Sequence, residues 1–194
     1  MTSNCMSVFI VEDEPVTRKA LRLYFDKTTS DDLMLIGEAG DAEIGVKQIQ
    51  QLRPSIALLD IGLPGMNGIT AAQKLNAISP YTTVVMRTNQ EDESSILAAF
   101  NAGAYGYVFK AGFRESLELA IRTVRIGAVW LDPKIAQQIL QMAVRNNGSN
   151  GNSVLSPQDK ERLEEVAHAG CDDGVCLVDP GFLQNLQRIK TRVS

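Results

Sequence analysis

The sequence predicts an α/β fold: a five-stranded doubly wound parallel sheet in the order 2-1-3-4-5, followed by a small helical C-terminal segment. Three observations predict it. Four apolar runs lead directly into polar residues. Val8-Phe9-Ile10-Val11 precedes Glu12-Asp13, Ile56-Ala57-Leu58-Leu59 precedes Asp60, Thr83-Val84-Val85-Met86 precedes Arg87-Thr88, and Gly106-Tyr107-Val108-Phe109 precedes Lys110. Apolar residues at helical spacing fill the intervals between them. The intervals are also the right length: Asp13 and Asp60 lie 47 positions apart, Asp60 and Thr88 28, Thr88 and Lys110 22. A strand, a helix and two short connections take roughly 25 residues. The long interval therefore holds two units and each short one a single unit.

The elements follow in order. After the first strand, Val16, Ala20, Leu23 and Tyr24 recur at helical spacing. Met34-Leu35-Ile36 predicts a second short strand. Asp41 caps a helix carrying Ile44, Val46, Ile49 and Leu52, which stops before Pro54. The unbroken apolar run Ile56 to Leu59 fits a central strand buried on both faces. Gly62 to Gly68 predicts a loop by its Gly and Pro content. Helices follow through Ala71, Leu75 and Ile78, through Ile96, Leu97, Phe100 and Ala104, and through Leu117, Ala120, Ile121 and Val124.

Beyond residue 126 the pattern changes. Asp132-Pro133 opens a linker helix with Ile135, Ile139, Leu140 and Ala143 on one face. Asn146 to Ser153 is polar and Gly-rich and reads as a flexible tether. Ser156, with Asp159 reaching back, caps a further helix carrying Leu163, Val166 and Ala167. Asp179-Pro180 opens another with Phe182, Leu186, Ile189 and Val193. The expected organisation is a main domain over 1–126, a linker helix over 127–145, a tether over 146–153 and a small helical output segment over 154–194.

Composition narrows the function classes. The chain has 194 residues, 44% hydrophobic and 22% charged, as ordinary globular domains do. No run approaches the roughly 18 apolar residues of a membrane helix. The first six residues do not read as a secretory signal. Three cysteines are too few and odd in number for a disulfide framework, so a reducing cytoplasm is expected. A net charge of −4 gives no overall pull toward nucleic acid or anionic membrane.

In an open parallel sheet the carboxyl ends of the strands share one edge, where ligands bind. Glu12, Asp13, Asp60, Thr88 and Lys110 should meet there. Clustered carboxylates repel and stay ionised only when a cation shares the site. All-oxygen ligation favours magnesium. A metal, an ammonium and a hydroxyl around one carboxylate would stabilise a transferring phosphoryl group. Asp60, in the middle, becomes the nucleophile that accepts it.

Val11-Glu12-Asp13-Glu14-Pro15, Leu59-Asp60-Ile61-Gly62-Leu63-Pro64-Gly65-Met66-Asn67-Gly68 and Gly103-Ala104-Tyr105-Gly106-Tyr107-Val108-Phe109-Lys110 resemble the signatures of the response-regulator receiver domain. That domain has a flavodoxin-like fold, and the match spans about Ser7 to Ile126. The resemblance implies that Asp60 accepts phosphate from a histidine kinase. It implies Asp13 and Asp60 as direct magnesium ligands, Glu12 acting through water and Gly62 through its backbone carbonyl. It implies that Thr88 moves toward the phosphoryl group and that Tyr107 changes rotamer, although the residue alone reads equally as a core aromatic. Three positions depart from the family pattern. Asn89 stands where Ala or Gly is usual and is expected to prolong the phosphorylated state. Arg87 replaces a small or apolar residue, with no physical reason legible in the sequence. Ala111 replaces a proline.

Residues Ala120-Ile121-Arg122-Thr123-Val124, Gly127 to Leu131 and Asp132 to Ala136 resemble the receiver-linker stretch of the NarL/FixJ type. Leu155 to Leu163 resembles the opening of that type's helix-turn-helix effector. Val154 to Ser194 spans 41 residues, too few for the helices of that effector, and carries seven acids against five bases. An acidic module is a weak DNA ligand despite the basic Arg188, Lys190 and Arg192. Two outputs therefore stand: docking on the receiver or on a partner protein, released or created by phosphorylation, or a reduced DNA-binding effector working as a homodimer. His168, Cys171 and Cys176 match no common zinc spacing and read as part of a small helix and turn.

Overall fold

The structure is a computed structural model and describes residues 5–27, 33–147 and 156–169. Strand and helix alternate as β1 (Met6–Val11), α1 (Pro15–Lys27), β2 (Leu33–Ala39), α2 (Ala42–Leu52), β3 (Ile56–Leu59), α3 (Gly68–Ile78), β4 (Thr83–Thr88), α4 (Glu93–Asn101), β5 (Ala104–Phe109) and α5 (Phe113–Arg125). Then come β6 (Trp130–Leu131), α6 (Pro133–Asn147) and α7 (Pro157–Ala169). The strand order is β2-β1-β3-β4-β5-β6. The expected order holds for the first five strands, and a sixth corrects the count. Trp130 and Leu131, read as linker from sequence, pair in parallel with Gly106 and Tyr107. Two residues are too few to show strand periodicity, yet burial of Trp130 and Leu131 holds them.

The chain divides into two compact units, Met1–Thr88 and Asn89–Ser194. In the first, β1 pairs in parallel with β2 and β3, and β3 with β4. Val8, Phe9, Ile10, Ile56, Ala57, Leu58 and Leu59 are buried, as strands covered on both faces require. The face of α1 lies away from the one expected, whereas α2 and α3 bury Val46, Ile49, Ala71 and Leu75 as expected. α1 buries Leu21 and Phe25, while Val16 and Leu23 are exposed. α2 buries Ala42, Gly45, Val46 and Ile49, leaving Ile44 and Leu52 exposed. Its N-terminus is capped by Asp41, whose side chain accepts from Ile44 N–H at 2.9 Å. It ends at Arg53 in the left-handed region (φ 49°), just before Pro54. α3 is capped by Asn67, which accepts from Thr70 N–H at 2.8 Å.

In the second unit, α4 is capped by Asp92 and buries Ile96, Ala99 and Phe100. Leu117, Ala120, Ile121 and Val124 of α5 are all buried, as their spacing predicts. Asp132 caps α6 by accepting from Lys134 N–H at 3.1 Å, and Ile135, Ala136 and Ile139 turn inward. α7 begins at Pro157 after Ser156 and packs on α6 with Leu163 buried. Among the described residues no helix is long and apolar enough to cross a membrane. Most of the expected tether, Cys171, Cys176, the helix opening at Asp179-Pro180 and the basic run Arg188, Lys190 and Arg192 lie outside the described residues.

Candidate functional site

Register builds the site. Val11 pairs with Leu59, and Leu59 with Met86. The next residue on each of these three adjacent strands is Glu12, Asp60 and Arg87. The row is held in place by backbone bonds that prolong the ladders. Glu12 N–H donates to Ala39 O at 3.0 Å, and Asp60 N–H to Val11 O at 3.0 Å. Arg18, on the first turns of α1, donates from Nη1 to the carbonyls of Glu12 (2.5 Å) and Asp13 (3.2 Å). This fixes the turn that carries both acids.

The predicted acids converge. Glu12, Asp13 and Asp60 each present a carboxylate oxygen, and these atoms lie within 4.8 Å of one another. Glu12 and Asp60 are buried, at 2% and 6% exposure, and Asp13 is open to solvent. At that separation two carboxylates repel by about 3 kcal/mol at an effective dielectric near 20. The donor set is all oxygen and strongly anionic, which fits a hard divalent cation. Gly62 adjoins it: a Cβ built there would sit 3.6 Å from Asp60 Oδ2.

Two residues were missed as parts of this site. Arg87 is one. Its Nη1 lies 3.3 Å from Glu12 Oε2, with the two side chains 5% and 2% exposed. Burial pushes its pKa down from the usual guanidinium value, opposed by the charges of Glu12, Asp60 and Glu14 in that order. The signal was present: a cation inside the run Thr83 to Thr88 demands a buried acid, and the acids at the neighbouring strand ends are in reach. Gly68 is the other. A Cβ there would lie 1.9 Å from the Asp60 carbonyl oxygen, so α3 starts against the backbone of Asp60 itself. Gly68 N–H also donates to Ile61 O at 3.0 Å, closing the Asp60–Gly68 loop.

Thr88 is buried and ends β4. Tyr107 and Lys110 belong to the second unit. Lys110 is half-buried and opens a single 3-10 turn after β5. Tyr107 is both a core aromatic and a hydrogen-bond donor. Its buried ring packs against Phe100 and Phe109, with centroids at 6.2 and 5.9 Å. Its hydroxyl donates to Gln90 O at 2.9 Å. The next residue, Glu91, is held by α6: Gln138 Nε2 donates to Glu91 O at 3.1 Å, and Lys134 Nζ pairs with the Glu91 carboxylate. The Lys134 ammonium also lies 5.5 Å from the centre of the Phe109 ring.

Residues 8–122 match the family described as the response regulator receiver domain. The chain belongs to this family. A two-component response regulator of the LuxR family from Aurantimonas sp. SI85-9A1 superposes with a TM-score of 0.68 at 28% identity, covering 72% of this chain and 99% of that one. Oxygen regulatory protein NreC of Staphylococcus carnosus is 28% identical over 84% of this chain and 77% of its own length. The transcriptional regulatory protein YhcZ of Bacillus subtilis is 29% identical over 97% of this chain and 86% of its own length. The response-regulator family and its NarL-type relatives bear out the resemblance read from the motifs. The chain thus carries the receiver domain of response regulators, signalling proteins of two-component systems, and is similar to regulators of the NarL and LuxR kind.

Proposed function

We propose that Asp60 is the phosphoacceptor of this receiver. The observation that carries the reading is the acid cluster: one nearly sealed carboxylate, flanked by two more within 4.8 Å, at the end of a buried strand. A carboxylate oxygen of Asp60 attacks the phosphorus of a phosphohistidine on a partner kinase. The new O–P bond forms as the N–P bond breaks, and the imidazole leaves. Asp13 and Asp60, with the Gly62 carbonyl and Glu12 through water, would hold magnesium. When bound, the ion supplies positive charge opposite the phosphoryl oxygens. Thr88 donates its hydroxyl to one phosphoryl oxygen and Lys110 pairs its ammonium with another. Such a partnership with a kinase places the protein in the cytoplasm.

Phosphorylation replaces a single negative charge by about −1.5 to −2 and adds three strong acceptors. Movement of Thr88 toward them pulls on Asn89 and Gln90, the next residues of the chain. Gln90 and Glu91 are the residues that bond Tyr107 and α6. The switch therefore acts through Thr88 and Tyr107 on the grip that Lys134 and Gln138 keep on this loop. The output is the segment over 154–194, to which α7 belongs and which the linker helix α6 joins to this loop; it docks on a partner protein when that grip changes. A second reading is favoured by one observation, the alignment of 97% of this chain with a transcriptional regulatory protein. In that reading the segment is a reduced DNA-binding effector working as a homodimer.

The test presents the phosphorylated protein and Asp60→Asn to genomic fragments over a range of salt, and in parallel to a cross-linker in the presence of cell protein. Phosphorylation-dependent DNA retention with a steep salt slope supports the second reading. Phosphorylation-dependent cross-linking to a specific protein without DNA retention supports the first. Identical behaviour of both forms in both arms contradicts a phosphorylation-driven output.

A further inference from the structure

We infer that Arg87 is a built-in counter-cation of the acid cluster, competing with the divalent ion for Glu12 and so setting the magnesium affinity of this receiver. The inference rests on the magnesium reading of the cluster and deepens it. Arg87 sits on β4 and Glu12 at the end of β1, with β3 between them. Two strand spacings separate the backbones by about 10 Å. A guanidinium that reaches Glu12 across that gap must pass over the end of β3, where Asp60 stands. The charges of both Glu12 and Asp60 act on it.

The pair is sealed as well as close. Arg87 and Glu12 are 4% and 2% exposed, so water screens their attraction poorly. Neither charge would be tolerated alone at that depth. With magnesium absent, the guanidinium offsets one of three clustered negative charges. A divalent ion entering the cluster, even one that meets Glu12 only through water, needs the same carboxylate. Its binding free energy is reduced by whatever holds Glu12 to Arg87. An apolar residue at position 87 would impose no such penalty. Asp13, the third acid, is solvent-exposed and gives the ion a way in. Half-occupancy of the site, and with it the readiness of Asp60 to accept phosphate, then requires more magnesium than three carboxylates alone would need.

The experiment is a calorimetric magnesium titration of the full chain and of Arg87→Met, Arg87→Gln and Arg87→Lys. Both neutral variants are expected to bind magnesium at least tenfold more tightly than wild type. Arg87→Lys, which keeps the charge, is expected to stay within about threefold of wild type. Should Arg87→Met fail to fold, Arg87→Gln carries the comparison, because it removes the charge while keeping a polar side chain at that position. Thermal stability gives a second readout: magnesium should raise the melting temperature of the neutral variants more than that of wild type. Equal or weaker binding by the neutral variants overturns the inference while leaving the magnesium site standing. So does a lysine variant that behaves like them, which would mark a structural role. Absence of binding to every protein in the series overturns the site assignment and the inference together.

Discussion

The Tyr107 hydroxyl donates to the Gln90 carbonyl at 2.9 Å, joining the end of β5 to the segment that follows Thr88. Tyr107→Phe removes that donor and leaves the ring packed on Phe100 and Phe109. The expected loss is about 0.5–1.5 kcal/mol, the usual net value of one such bond. Urea denaturation should show a lower midpoint with an unchanged slope. Phosphorylation should then produce a smaller change in hydrogen exchange across α6 than it does in wild type. A wild-type response would remove Tyr107 from the switch.

Gly68 has no room for a side chain. A methyl group would meet the Asp60 carbonyl at 1.9 Å and Ile61 Cα at 2.9 Å, both of them backbone. Gly68→Ala is expected to cost at least about 3 kcal/mol, because backbone cannot rotate away as a side chain can. The displaced backbone is that of Asp60, so phosphoryl labelling should fall as well. A variant with wild-type melting temperature and labelling would contradict the close approach.

Asp92 caps α4, and its carboxylate is held down to about 2 by hydrogen bonds from the Ser94 and Ser95 side chains and the Ser95 N–H. Its folded pKa lies below the ordinary value of 3.8. The cap therefore contributes its full stability above about pH 4, and loses it as pH falls toward 2. Carbon-detected NMR of the Asp92 carboxyl should show a midpoint near 2. A midpoint at the ordinary value would mean that the cap is not formed in solution.

Asn89 follows Thr88 directly, and its side chain is bulkier than the small residue expected there. Asn89→Ala should open access for an attacking water and speed loss of the phosphoryl group by up to about tenfold, equivalent to about 1.4 kcal/mol of barrier. Phosphate release from the purified phosphoprotein measures it, and equal rates would exclude the effect.

Strand ends were the most legible part of the sequence. A fully buried strand such as Ile56 to Leu59 has no choice but an unbroken apolar run, and the acid that follows it marks the edge. Glu12, Asp13 and Asp60 were found this way, and the structure brings them together. Helix faces were less legible. Val16 and Leu23 look as apolar as Leu21 and Phe25, and only packing decides which pair turns inward. β6 was hidden because two residues carry no period. Arg87 depends on register between strands distant in sequence, and Gly68 on the return of the loop after β3 onto the backbone of Asp60. Local pattern does not encode such relations, although a lone cation in a buried strand announces that a partner exists.

The central claim is that Asp60 carries the phosphoryl group. Intact-mass analysis and peptide mapping of the protein after incubation with acetyl phosphate and magnesium test it most directly. One phosphoryl increment, mapped to Asp60 and lost in Asp60→Asn, is the predicted result. No increment under those conditions, or an increment that persists undiminished in Asp60→Asn, would contradict it.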